Sequence, residues 1–170
     1  MTQNTSNSLS FVPLHQQPGY RLRRLEVKNF GGYTGPATHL PFNAESAVLT
    51  GENGSGKSTA IDAWRLLFRK SPSFNSAGQG SRDRSIDAYY IGKYGTQDGG
   101  KKLQLRDYSS DKANYMGVCA VFEDEHGTTF SAARLWFIPK ASQNQTLRLI
   151  TARSELSLDK DFPIFPTEGE

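Results

Sequence analysis

Cysteine is nearly absent: Cys119 stands alone in 170 residues, which leaves no internal disulfide and no cysteine-built metal site. Histidine is scarce too, and His15, His39 and His126 share no spacing that suggests a bound metal. No run approaches the ~18 consecutive apolar residues of a membrane-crossing helix. Met1 to Ser10 is polar and uncharged, without the apolar centre of a secretory signal. No heptad pattern is sustained, and no repeat of fixed period is present. These lacks exclude a disulfide scaffold, a helical membrane protein and a repeat array. The expectation is a cytoplasmic protein with no membrane partner.

What is present suits one domain with a core. Hydrophobic residues make up 36%, and 16 glycines bring the apolar share close to that of ordinary globular chains. The net charge is +3, unevenly placed. From Lys57 to Lys112 there are eleven Lys/Arg against six Asp/Glu, whereas Arg153 to Glu170 holds two against five. A basic middle is compatible with polyanion binding, and a solvated surface accounts for it equally well.

Residues 1–19 are rich in Asn, Gln, Ser and Pro and read as a disordered leader. A single lobe is expected over 20–165, with 166–170 as a tail leading into a missing remainder. Arg21–Lys28 reads as a strand with a charged face, Gly31-Gly32 as a turn, and His39–Phe42 as the end of a second strand. Ala47–Thr50 is short and apolar, as a buried strand should be. Ile61, Trp64, Leu67 and Phe68 fall at helical spacing within Lys57–Phe68, and Ser71-Pro72 is a plausible stop. Residues 71–112 are Gly, Ser and Asp rich and read as a mobile insertion, with a short helix around Arg84–Ile91. Antiparallel strands are expected over about 115–152. Tyr115–Glu123 and Thr128–Ile138 flank Asp124–Gly127 as a hairpin, and Leu147–Ala152 follows as a third strand.

Chemistry enters at Gly51-Glu52-Asn53-Gly54-Ser55-Gly56-Lys57-Ser58, which satisfies G-x-x-x-x-G-K-[ST] at every specified position. Chance would supply such a match in roughly one chain of this length in two hundred. The apolar stretch before it and the helix after it narrow the odds further. Glycines let the backbone curl so that successive N–H groups face one anion, and a helix start adds its positive dipole end. Lys57 would reach the β- and γ-phosphates of ATP, and Ser58 would place its hydroxyl on Mg²⁺. The cofactors expected are therefore ATP and Mg²⁺. The nucleotide-binding set is Gly51, Glu52, Asn53, Gly54, Ser55, Gly56, Lys57, Ser58 and Thr59.

The surroundings of this loop resemble the opening of SMC, RecF and RecN-like ATPases. The pieces that carry the resemblance are Leu25–Phe30 ending in Asn-Phe, Leu40–Phe42, Gly51–Thr59, and Asp62-Ala63 on the following helix. Phe74–Gly78, Ser81–Ser85 and Tyr90–Gly92 look like the segment after the P-loop in MukB-like condensins. Val118–Asp124, Leu135–Phe137 and Leu156–Phe162 look closer to JetC, the ATPase subunit of Wadjet plasmid-defence condensins. The resemblance spans about residues 20–165. It implies an α/β fold, the N-terminal half-head of a P-loop ABC-type (SMC/RecF-like) ATPase with an added antiparallel β-sheet. It also implies DNA, a second copy of the head, kleisin and winged-helix (KITE) subunits and a Toprim-type nuclease as partners, at the nucleoid.

A complete head also needs a Walker B Asp with a catalytic Glu, and a signature loop. The acids after Val118 run straight into the His126-Gly127 turn, and Ser76–Gly80 is a poor signature loop, so no catalytic residue is expected in this chain. The chain alone should not hydrolyse ATP at a useful rate, because transfer to water needs a positioned nucleophile. Further candidates are Asn29 and Tyr33 near the nucleotide, Gln79 on Mg²⁺, and Arg82 and Arg84 on phosphate or DNA. Tyr33 suits adenine stacking and a hairpin surface equally, Phe30 reads as core, and Cys119 as inert core. Antiparallel strands after residue 115 argue against a small kinase. A non-catalytic interaction module remains the reading from another class.

Overall fold

The computed structural model describes residues 19–69, 74, 85–96, 102–106, 114–138 and 146–162. The leader over 1–18 and the tail over 166–170 lie outside the described residues, as does most of the insertion over 71–112.

A five-stranded antiparallel sheet organises the lobe. Its strands are β1 (Arg21–Lys28), β2 (Thr38–Pro41), β5 (Asn114–Glu123), β6 (Thr129–Ile138) and β7 (Thr146–Ala152), in the order β2-β1-β5-β6-β7. The other elements are helix α1 (Lys57–Phe68), a short helix α2 (Ile86–Ile91), and β3 (Lys93–Thr96) paired with β4 (Lys102–Gln104) as a separate ribbon. The hairpin read around Asp124–Gly127 is present. Asp124 accepts the N–H groups of His126 and Thr128 at 2.9 and 2.7 Å, and Gly127 takes φ 77°.

β5 is buried on both faces, and its period of two divides the core into layers. Met116, Val118 and Ala120 face α1 and α2, together with Leu25, Val27, Ala132, Trp136, Ala63, Leu66 and Leu67. Tyr115, Cys119 and Val121 face the other way, against Leu135, Leu158 and Phe162. Burial pushes the Cys119 thiol up to about 12, so it stays an unreactive thiol at neutral pH. The covering segment 155–162 is anchored by polar contacts. The Leu158 N–H donates to the buried Glu26 carboxylate at 2.7 Å, and Arg24 approaches the same carboxylate at 2.8 Å. The Tyr115 hydroxyl donates to the Leu158 and Phe162 carbonyls.

One sequence expectation is corrected. Ala47–Thr50 forms no strand and lies exposed, with Val48 at 86% and Leu49 at 38% of full exposure. A strand persists only where a neighbour pairs its backbone, and among the described residues none runs beside this one. The buried stripe of α1 is Ala60, Ala63, Leu66 and Leu67 with Asp62, while Ile61 and Phe68 are 42% and 54% exposed. The small alanines let the helix backbone approach the sheet, which turns the larger side chains at 61 and 68 outward. The β3–β4 ribbon was not anticipated. Its strands are four and three residues long, too short for periodicity to register.

Truncating Leu158 to Ala should cost about 2–4 kcal/mol in urea unfolding, since it empties the centre of the second layer. A finer test concerns Asp159, which pairs with Lys28 at 2.6 Å and accepts the Ala37 N–H at 2.8 Å. Burial pushes the Asp159 carboxyl up, but the Lys28 and Ala37 bonds outweigh it and hold the group below 3.8. Burial lowers Lys28, and its bonds to Asp159 and Tyr115 raise it to a net position above 10.5. The stability contributed by the carboxylate is thus present above pH 3.8 and lost as pH falls through its lower folded value. The stability contributed by the ammonium is present below pH 10.5 and lost as pH rises through its higher folded value. Asp159→Asn should therefore cost about 1 kcal/mol, evenly across that window, and nothing in strong acid, as read from melts at stepped pH.

Candidate functional site

Residues 51–58 form a turn closed by glycines at the start of α1. Gly51, Gly54 and Gly56 take φ 147°, 86° and 93°, conformations that side chains resist. A Cβ at Gly51 would stand 2.8 Å from Ser55 Oγ, and one at Gly56 3.1 Å from the Tyr33 hydroxyl. At Gly51 the serine hydroxyl can swing aside, so the backbone angle is what requires glycine, and at Gly56 Tyr33 would also have to give way.

The first helical bond of α1 runs from the Ala60 N–H to the Gly56 carbonyl at 2.9 Å, so the N–H groups of Lys57, Ser58 and Thr59 precede the helical ladder. Helices commonly satisfy such groups with a Ser, Thr, Asp or Asn cap. Here the cap position is Gly56, no side chain caps the helix, and no acid sits in its first turn. The end is left electropositive and open to an anion. The Lys57 ammonium folds back over the loop, donating to the Gly51 and Glu52 carbonyls at 2.6 and 2.7 Å and approaching Ser55 Oγ at 3.4 Å. Its partners are neutral oxygens and none is a carboxylate, so its charge remains uncompensated at the loop mouth. The described residues of the loop thus fit a polyphosphate: N–H donors at a helix start and a cation held only by neutral oxygens.

The opposite end of α1 is capped from the sheet. Arg134, buried on β6, donates through Nη1 to the Leu66 carbonyl at 2.6 Å and to the Arg69 carbonyl. A cation on a helix C-terminus opposes the partial negative charge there and satisfies acceptors that the ladder leaves over. Sequence reasoning missed Arg134. The available signal was its phase, because Ala132, Arg134 and Trp136 share the inward face of β6. Asp62 is fully buried and accepts a hydrogen bond from the Tyr89 hydroxyl, which fastens α2 to α1.

The remaining candidates separate. Asn29 is buried at φ 52°, and its Nδ2 donates to the Tyr115 carbonyl at 2.9 Å, which ends β1 against β5. Phe30 is core, stacked on Tyr89 with ring centres 4.3 Å apart. Tyr33 lies beside the loop, its hydroxyl donating to the Gly56 carbonyl at 3.2 Å. Gln79, Arg82 and Arg84 lie outside the described residues. Among the described residues no group of His, Cys, Asp and Glu forms a metal cluster, and no helix is long and apolar enough to cross a membrane.

Residues 22–81 match the family described as the P-loop containing region of AAA domain. Over 47 residues the chain is 43% identical to Structural maintenance of chromosomes protein 4 of Caenorhabditis elegans, covering 28% of this chain and 3% of that protein. The chain therefore spans only a small part of this curated relative's length. A solved structure described as "Structural biochemistry of ATP-driven dimerization and DNA stimulated activation of SMC ATPases" superposes with a TM-score of 0.46 at 19% identity, over 79% of this chain and 72% of that one. Motif, loop geometry and sequence similarity together define an α/β lobe whose residues 51–58 form a P-loop similar to that of SMC proteins.

Replacing Arg134 by Met should cost about 2 kcal/mol in urea unfolding, because the Leu66 and Arg69 carbonyls lose their donor inside the protein. Full stability in that variant would show that water reaches both oxygens.

Proposed function

We propose that this chain is the ATP-gripping N-terminal half of an SMC-like motor ATPase that acts on DNA, the JetC subunit of a Wadjet-type plasmid-defence condensin. The observation that carries the nucleotide reading is Lys57, a cation held over its loop by backbone carbonyls beside an uncapped helix start. When ATP binds, the N–H groups of Gly54 and of Gly56 to Thr59 would take phosphate oxygens, the Ser55 N–H keeping its bond to the Glu52 carbonyl, and Lys57 would exchange carbonyl partners for phosphate. Ser58, exposed on the first turn, would hold Mg²⁺, which neutralises charge on the phosphates.

The unpaired, exposed stretch Ala47–Thr50 supports the half-head reading. An apolar stretch entering a P-loop from a surface suits pairing with a strand from the remaining half of the head. That half would supply the Walker B acids and the signature loop, and hydrolysis would await a second head. Coiled-coil arms, kleisin, KITE and Toprim-type nuclease partners belong to the same proposal, with loop extrusion leading to plasmid cleavage. The MukB or RecF-like reading keeps this site and changes only the biological setting, and a neighbouring Toprim nuclease gene separates the two.

Calorimetric titration of Mg-ATP tests the site. Wild type should bind, and Lys57→Ala should bind at least tenfold more weakly, as expected for removing a charge-assisted contact of about 1.5–3 kcal/mol. Equal, absent binding in both would instead favour a non-catalytic interaction module. Neither protein should release phosphate at a rate above background.

A further inference from the structure

Arg106 follows β4, and its guanidinium enters a ring of backbone oxygens. Nε donates to the Tyr90 carbonyl, while Nη2 donates to the Gly31 and Tyr89 carbonyls at 2.8 and 2.9 Å. Nη1 reaches the Tyr33 carbonyl at 3.4 Å. Tyr89 and Tyr90 lie in the last turn of α2, and Gly31 and Tyr33 bound the turn after β1. One planar, rigid cation therefore bolts a helix end to a turn, which a flexible ammonium has no geometry to do.

The backbone reinforces the joint. The Gly31 N–H donates to the Tyr89 carbonyl at 2.7 Å, and the Arg106 N–H donates to the Ile91 carbonyl at 3.0 Å. Space is used up: a Cβ on Gly92 would stand 2.8 Å from the Gly31 oxygen and 2.9 Å from Arg106 Nη2. The far side of the same turn rests on the P-loop. A Cβ on Gly31 would meet the Thr59 methyl at 2.7 Å, and the Tyr33 hydroxyl donates to the Gly56 carbonyl at 3.2 Å. In a trans peptide the carbonyl and the following N–H point in opposite directions. The Gly56 carbonyl also accepts the first helical bond from the Ala60 N–H at 2.9 Å, so Tyr33 is a second donor that helps the helix hold this peptide with the Lys57 N–H directed out of the helix start.

We infer that Arg106 is a positioning residue for the nucleotide, acting through Tyr33 on the peptide between Gly56 and Lys57. Arg106 itself stays clear of the loop. The inference rests on the nucleotide reading above. It assigns the Tyr33 hydroxyl, rather than its ring, the larger part in affinity.

The test compares Mg-ATP dissociation constants for wild type, Arg106→Gln, Tyr33→Phe and the double variant. Lys57→Ala is the control for the site, and Ile150→Ala, on β7 in the second layer, the control for lost stability at a distance. The Lys57 amide resonance of each ligand-free protein is recorded alongside. Arg106→Gln and Tyr33→Phe should each weaken binding about fivefold, the size of one hydrogen bond. The double variant should be no weaker than Arg106→Gln, because both changes cut one chain of contacts. The Lys57 resonance should move in both single variants, and Ile150→Ala should change neither readout. Wild-type affinity in Arg106→Gln and Tyr33→Phe, with binding lost in Lys57→Ala, would overturn the inference and leave the site intact. Independent, multiplying losses would also overturn it. Absence of Mg-ATP binding in wild type would remove both. Should Arg106→Gln fail to fold, Tyr33→Phe decides: it keeps the stacking ring, so unchanged affinity and an unmoved Lys57 resonance sink the proposal.

Discussion

The backbone N–H groups at the start of α1 have no helical partner, and the surrounding structure keeps side-chain acceptors away from them. Gly56 occupies the position where a capping hydroxyl or carboxylate normally sits, and the first turn carries no acid. That omission leaves positive potential unspent, which a helix end on an ordinary surface would surrender to a Ser or Asp. Lys57 adds its own charge and is parked on carbonyls, which give it up readily to a better acceptor. An anion therefore completes what the fold leaves open.

Such a site works only if the helix is seated firmly. Ala60 and Ala63 bring α1 close to the sheet, and Arg134 holds its last carbonyls from β6. The turn after β1 braces the first turn. Asn29 ends the strand on the Tyr115 carbonyl, and the chain then passes Gly31 and Tyr33 along the loop. The sheet is stiffened from behind by segment 155–162, whose Leu158 fills the second layer and whose backbone is held by Glu26. A buried carboxylate is costly unless paired, and Glu26 has both Arg24 and a backbone donor. The rigidity of the loop therefore derives from contacts far from it in sequence.

Much of this was legible beforehand. The strands of the main sheet announce themselves because runs of β-branched, aromatic and apolar residues lie between turn signals, and the hairpin because Asp124–Gly127 has turn chemistry. The P-loop is legible because its spacing answers a local demand, a tight backbone turn before a helix. Short or non-periodic elements were not. β3 and β4 carry too few residues for a pattern, and the approach of α1 depends on alanines that carry little hydrophobic signal. Ala47–Thr50 has strand composition, yet pairing belongs to a neighbour and not to the segment itself.

The division between the two levels follows range. Sequence alone determined the loop of residues 51–58, the helix behind it and the alternating strands, because each obeys rules that act over a few residues. Only the tertiary structure decided that Arg106 would bind the carbonyls of two separate segments, that Arg134 would close α1, and that Tyr33 would rest its hydroxyl on Gly56. Those contacts join residues 17 to 75 positions apart, and no local spacing encodes which buried guanidinium meets which carbonyl.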